Sequence, residues 1–549
     1  MKYSLQAGEK AGREYANKLG ILLFQRALKL LPKHGRNERR LDVLEKLGEM
    51  HFLTGSYSNA LHYYGEVSNT ASDSLAQARL KRKCALVHMT CGALETAETL
   101  LLEAVRLLRG DLPTSRMHHA WMLLKHSAIH LLHRFTPSLI RHVYDEQDRI
   151  RLKELSDVCL RLSYVYYFKS APQFFLLTLI SSNTNERLGE SPQLCHVYSI
   201  LGMLYASLGC SRAAQQYGEK AISMAERLCL PLQLGQAYEF RGMSLFFEAR
   251  YEEARTVLQQ ARRILSDCGD MYELEVCYVQ LSLCNEYQGR FASALAETEK
   301  GISQIPIKDA FLVGKLVLMQ KAIVKAKLGQ LDKDLRDQLE TLFKTCNHHR
   351  DLLTSVGLYA LTGEIFLIER NAHQAIQRLE HARQLMEQNS MLQGHLAGVH
   401  ALLVRAYWDR FFRAYRMDRQ PMPPSERKLL RQLGRKAHRI GRSHPDYFST
   451  GLIAKGLSLW LNGRVRAARH CFRRGLESAR QQQANMCLSE GYYEAGRCLI
   501  LSPATKEEGL CYLRQAEKLF AEQEYRPCLE QTQELLRKEQ ADVKSEATS

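Results

Sequence analysis

A small residue that returns at a fixed interval limits what this chain can fold into more than any other feature. In LDVLEKLGEMHFLTGSYSNALHYYGEVSNTA, starting at Leu41, residues Leu44, Leu47 and Gly48 share one helical face. Gly55 and Tyr57 punctuate a turn, and Ala60, Tyr64 and Val67 share the face of a second helix. Aligned on Gly48, the small residue recurs as Ala85, Ser163, Gly202, Gly242, Ser282, Ala322, Gly363, Gly456 and Gly496, about every 40 residues where units are consecutive. The interval from Ala85 to Ser163 leaves room for one more unit, around Leu124. The interval from Gly363 to Gly456 holds one unit and an insertion. The second helix keeps the same step at Ala60, Ala97, Ala214, Ala254, Ala294, Ala375 and Ala468. The segments GSY, GAL, GCS, ARY, GRF, GQL and GRV mark the turns. A small residue where two helices cross lets their backbones approach, and an aromatic from the second helix fills the remaining gap. No strand-like alternation interrupts this pattern.

This arrangement of large, small and aromatic residues on two antiparallel helices resembles the tetratricopeptide repeat (TPR), with units longer than the family's usual length. The fold expected is therefore all-α, a right-handed α-solenoid of about a dozen antiparallel helix pairs. We divide the chain into an opening helix and lead-in (1–40), a repeat array (41–408), a Pro-containing insertion (409–426), basic C-terminal repeats (427–535) and a polar, frayed tail (536–549). In the insertion, DRFFRAYRMDRQPMPPSE extends a helix and then breaks it at Pro421, Pro423 and Pro424.

The opening segment AGEKAGREYANKLGILLFQRALKLLP carries Ala7-Gly8-Glu9-Lys10-Ala11, Tyr15-Ala16-Asn17 and Ala27-Leu28-Lys29-Leu30-Leu31-Pro32. It resembles the helix that opens the TPR half of multidomain signal-transduction ATPases. LSLWLNGRVRAARHCFRRGLESA, from Leu457, is similar to a late repeat of the same group. Such chains place a nucleotide-binding module before the superhelix, and many add a cyclase, kinase or DNA-binding module. This sequence has no GxxxxGK[ST] loop to cradle a triphosphate. The resemblance then implies a regulatory or sensor half standing alone, with a separate ATPase, cyclase or kinase as its protein partner.

Composition narrows the remaining choices. The 15 cysteines include no CxxC pair, which argues against a zinc ribbon or a disulfide framework and for reduced thiols. The N-terminus lacks an apolar signal segment, and no run of apolar residues is long enough to span a membrane, so a cytoplasmic protein is expected. The net charge of +17 is concentrated: between Arg405 and Arg480 stand 19 basic and 5 acidic residues.

Three groups of residues invite a functional reading. HHAWMLLKHSAIHLLH sets His119, His126, His130 and His133 on one helical face, with Ala120, Leu124, Ala128, Leu131 and Leu132 opposite. His126 and His130, at i and i+4, have the spacing of a shared metal, but no Asp or Glu accompanies them. The alternative is a polar face turned away from the apolar stripe. Cys346, His348 and His349 form a second, looser group.

The basic sector offers Arg413, Arg416, Arg419, Arg431, Arg435 and Arg439 to an anionic partner, either nucleic acid or an acidic protein. Trp408, Phe411, Phe412 and Tyr415 lie among these arginines and would stack on bases or be buried. On the first helix of each pair, the concave positions lack the Lys and Asn of a carboxylate clamp. They offer Met203, Met243, Phe246, Leu283 and Ile323 instead, to an apolar segment of a partner or to burial between repeats. No catalytic motif is present and no cofactor is implied. The functional reading is a non-enzymatic TPR scaffold for protein–protein interaction, within a signal-transduction ATPase-type system. The alternatives are a superhelix that senses a small effector and a nucleic-acid-binding repeat protein using residues 405–480.

Overall fold

The computed structural model describes residues 2–13, 16–32, 38–71, 73–304, 311–348, 351–389, 391, 396, 398–418 and 421–548. Among them the chain is all-α, with 26 α-helices and no strand. α1 (Lys2–Arg13) pairs with α2 (Asn17–Lys29), α3 (Glu38–Leu53) with α4 (Tyr57–Ser68), and α5 (Ser74–Thr90) with α6 (Leu94–Leu107). α7 (Arg116–Phe135) has no such companion. The pairs resume with α8 (Glu146–Lys169) and α9 (Ala171–Leu188), α10 (Pro192–Ser207) and α11 (Ser211–Arg227), and α12 (Pro231–Phe247) and α13 (Tyr251–Cys268). Next come α14 (Met271–Tyr287) with α15 (Phe291–Gln304), α16 (Phe311–Lys327) with α17 (Lys333–His348), and α18 (Leu352–Ile368) with α19 (Ala372–Gln388). The C-terminal part comprises α20 (Val399–Asp418), α21 (Pro424–Ser443), α22 (Phe448–Leu461), α23 (Val465–Gln481), α24 (Asn485–Leu499), α25 (Lys506–Glu522) and α26 (Arg526–Thr548).

The local chemistry of each pair follows from the repeat. The turn between its helices passes through the left-handed region, at Gly55, Gly92, Gly209, Gly289, Gly329 and Gly463, and at Ala249 in the one turn written ARY. A Cβ added at Gly48 would overlap the Tyr64 ring, and one at Gly456 would overlap Phe472. These crossings are close because one partner has no side chain and the other fills the gap with a ring. Asp145, from a short acidic cluster, caps α8 by accepting from the Asp148 backbone N–H at 2.8 Å.

Two segments differ from the sequence expectation. α20 runs unbroken to Asp418 and buries Trp408 and Phe412 in the core, so the first half of residues 409–426 belongs to a packed helix. α26 continues to Thr548, past the start of the polar tail, and Glu539 within it is buried and paired with Arg416 and Lys506. A charge held between two cations extends a helix that its composition alone leaves undecided.

The array curls until its end meets its middle. Phe291 and Tyr525 pack edge to face at 5.2 Å between centroids. Gln531 donates to the Ile368 carbonyl at 2.8 Å, and Arg370 pairs with Glu534 at 2.7 Å. One continuous apolar core runs from Ala78 to Leu536, so the basic C-terminal repeats share it with the central ones. This closure turns the concave face of the middle repeats into a deep, partly open pocket.

Candidate functional site

The inner helices α10, α12, α14, α16, α18 and α20, with α22 and α24 opposite, surround a cavity of about 460 Å³. Four of the five expected groove residues, Met203, Met243, Leu283 and Ile323, line it. They do so because they sit one repeat apart and hold the same position on successive inner helices. Phe246 does not line it. Phe246, about 60° round the helix from Met243, is buried against Tyr251 and Tyr287, with centroids at 5.4 and 5.1 Å, and Tyr287 lines the pocket in its place.

The cavity wall also carries charge. Lys327 is fully buried, paired with Glu286 and, at 3.0 Å, with Glu364. Burial pulls its ammonium down, but Glu286, Glu364 and Glu490 outweigh burial and hold it well above the usual lysine range. Arg405 bonds Glu490 at 2.7 Å and Glu494 at 3.4 Å. Gln320 donates to Glu286 at 2.6 Å. Further along the wall Gln280 donates to Glu239 Oε1, and Glu239 Oε2 has no partner. Burial pushes the Glu239, Asp270 and Glu273 carboxyls up, and for Glu239 and Glu273 the neighbouring carboxyls add to the rise.

Glu239 was given no role in the reading of the sequence. A signal was present: Glu239, Gln280 and Gln320 stand about one repeat apart, a polar column among apolar neighbours. Lys327 and Glu286 gave no local signal, because their pairing spans adjacent repeats.

The histidine helix is the clearest reversal. α7 lies outside the stacked pairs and packs on α9. The additional unit expected around Leu124 does not form among the described residues: α8 and α9 are the unit of Ser163, α7 stands without a companion, and Leu124 is exposed. The histidines face inward. His130 Nε2 lies 2.9 Å from the Tyr205 hydroxyl and 3.3 Å from that of Tyr217, and both it and His133 are buried. His133 Nδ1 lies 2.7 Å from Glu186 Oε2. Asn183 donates to the His126 carbonyl at 2.9 Å and lies 3.4 Å from its Nδ1. These hydrogen bonds put His126 and His130 to separate uses, and no metal-holding group of three His, Cys, Asp or Glu forms among the described residues. Burial, with Lys125 beside one and Arg134 beside the other, holds both rings down to about 4. Cys346 is buried on α17, and His349 lies outside the described residues.

The basic sector divides in two. Arg413 donates to the Arg370 carbonyl and pairs with Asp409 at 2.7 Å, and Arg416 pairs with Glu539, so both brace the closure of the array. Arg419 lies outside the described residues. Arg431, Arg435 and Arg439 are exposed along one face of α21, with no ion pair among the described residues. Their aromatic neighbours in sequence do not join them: Trp408 packs edge to face on Trp460 at 5.7 Å.

These features define a TPR-like helical-repeat protein with a pocket on its concave side. No family model matches the chain, and no curated protein matches it. Solved structures of similar architecture include a Rap protein complexed with Competence and Sporulation Factor, at 14% identity and a TM-score of 0.46, with 71% of this chain and 99% of that one covered. The APC/C hetero-tetramer Cut9–Hcn1 has 12% identity and a TM-score of 0.46, covering 97% of this chain and 95% of that one. A Signal Transduction ATPase with Numerous Domains from Pyrococcus horikoshii, bearing a TPR sensor, has 12% identity and a TM-score of 0.35, covering 71% and 62%. At such identities the likeness concerns repeat architecture and says nothing of what this chain binds. Among the described residues no helix is long and apolar enough to cross a membrane.

Proposed function

We propose that this TPR-like protein is a non-catalytic interaction scaffold, and that α7 is where a partner docks by laying an amphipathic helix along it. The observation that carries this reading is the outward face of α7. Met117, Trp121, Leu124, Ala128, Leu131 and Phe135 follow one another at steps of four and three residues, the spacing of a helix–helix seam. All six are exposed, Trp121 at 55%, Leu124 at 71% and Phe135 at 74%. A contiguous apolar stripe of this length marks an interaction site on a folded protein.

Charge selects the occupant. α7 has no acidic residue, and Arg116, Lys125 and Arg134 punctuate it. A second copy would set like charges side by side, whereas a helix flanked by Glu or Asp complements them. The resemblance of the opening helix and late repeat to signal-transduction ATPases supports a partner from such a system, an ATPase, cyclase or kinase, with this chain as its regulatory half.

Two synthetic helical peptides with leucine at the seam positions test the reading, one flanked by Glu and one by Lys. The Glu peptide binds the full chain by fluorescence anisotropy, and Leu124→Glu abolishes that binding. Equal binding of both peptides, binding of neither, or self-association removed by Leu124→Glu overturns it.

A further inference from the structure

The interior of the array has a separate use from its outer face. We infer that the central cavity is a binding site for a small organic cation, an ammonium group carried on an apolar body, with Glu239 and Glu273 as its counter-charge.

The first support is size and lining. About 460 Å³ is within the range of a small-molecule site, too small for a folded partner element. Met203, Met243, Leu283 and Ile323 supply an apolar wall, and flexible thioethers adapt to the shape of an apolar guest. Tyr164, Phe240 and Tyr272 bring aromatic rings to the same space, whose faces attract cations.

The second support is the balance of charge. The two basic side chains on the wall are already engaged, Lys327 between Glu286 and Glu364, and Arg405 with Glu490 and Glu494. Glu239 and Glu273, on the neighbouring helices α12 and α14, form no ion pair of this kind among the described residues, and Arg161 on α8 acts on Glu273 only through space. Glu239 lines the cavity but is only 2% exposed, and its Oε2 is buried without a hydrogen-bond partner. An unpartnered buried carboxyl oxygen is costly to keep in a folded protein. A donor arriving with a ligand satisfies it, and a positive donor also favours its ionised form. An anion entering the same space would meet those carboxyls, while the two cations lining the wall are already paired.

A linkage effect accompanies the binding. The groups facing the pair are Gln236 on α12, Asp270, Tyr272 and Gln280 on α14 and its cap, and Arg161 and Tyr164 on α8. Burial favours the protonated acids, so a cation that settles against them displaces a proton. Its affinity then rises with pH through neutrality.

The experiment uses the full chain and three isosteric probes, 2-phenylethylammonium, 2-phenylethanol and 3-phenylpropionate, with hexylammonium as an aliphatic counterpart. Thermal denaturation and isothermal titration read the binding. At least one ammonium raises the melting temperature with rising concentration, while the alcohol and the carboxylate do not. Glu239→Gln, which keeps shape and hydrogen-bonding capacity, weakens ammonium binding at least tenfold and removes its pH dependence; its folding is checked by circular dichroism. Leu124→Glu on α7 leaves ammonium binding intact, so this outcome and that of the docking reading are independent. Binding of the carboxylate as tightly as the ammonium, unchanged ammonium binding in Glu239→Gln, or no ammonium binding up to about 10 mM, weaker than the millimolar range of simple ligands, overturns the inference.

Discussion

α14 and α7 mix apolar and titratable residues in similar proportion, yet the molecule treats them in opposite ways. α14 has neighbours on every side, with α12, α13, α15, α16 and α24 all packed on it. It buries Leu274, Cys277 and Leu281, and also Glu273, Glu275, Gln280 and Glu286. α7 packs mainly on α9, touched also by side chains of α10 and α11, and covers only one face. The face it covers is the polar one, because Tyr205, Tyr217, Glu186 and Asn183 supply partners for its histidines. Its leucines and its tryptophan are left to water. The number of neighbours decides how much of a helix is buried, and hydrogen-bond partners can decide which side.

The contrast can be broken at four points, in decreasing order of effect. Lys327→Met leaves Glu286 and Glu364 buried without their shared cation and should cost about 3–5 kcal/mol in urea unfolding, whereas Lys125→Met on α7 should cost under about 0.5 kcal/mol. Equal costs would remove the distinction between the two regions.

Gly456→Ala pushes a methyl into the Phe472 ring at a closed helix crossing and should cost about 1–3 kcal/mol by the same measurement. The same change at Gly65, with open space around it, should cost far less than that and provides the control.

Acid should loosen α7 before the rest. Burial holds His126 and His130 down to about 4, below the ordinary histidine value of about 6.5, so the folded rings stay neutral while unfolded ones take up protons. Their contribution is therefore complete above pH 7 and declines as pH falls from about 6.5 towards 4, by about 2 kcal/mol once partial solvent exposure is allowed for. Hydrogen exchange at pH 5 should accelerate in α7 and leave α14 protected. Uniform acceleration would contradict the single-sided docking of α7.

The smallest effect is the most specific. Leu124→Glu should change monomer stability by less than about 0.5 kcal/mol, whereas Leu283→Glu, on the cavity wall, should destabilise strongly. A large loss from Leu124→Glu would show that α7 is packed with its leucines inward.

The regular part of the molecule was legible because repetition averages over local accident. The column through Gly48, Gly202, Gly242, Gly363 and Gly456 defined helix pairs, turns and crossing points, and it placed Met203, Met243, Leu283 and Ile323 on a common inner surface. Phe246 was misplaced by a single rotation within one helix. The α7 helix was misread because amphipathic spacing identifies two faces but not which one is covered, and the array supplied no second copy of α7 to compare. Ion pairs between distant repeats, such as Arg416 with Glu539, leave no trace in local sequence, so Arg413 and Arg416 could not be separated from Arg431, Arg435 and Arg439 before the structure showed their partners.

Acrylamide quenching of tryptophan fluorescence tests the outward face of α7 most directly. Trp121 is exposed and Trp408 is fully buried, so the intact chain should show a readily quenched component that disappears in Trp121→Phe. A quenching curve unchanged by Trp121→Phe would mean that the indole is covered, and α7 would have no free stripe to offer a partner.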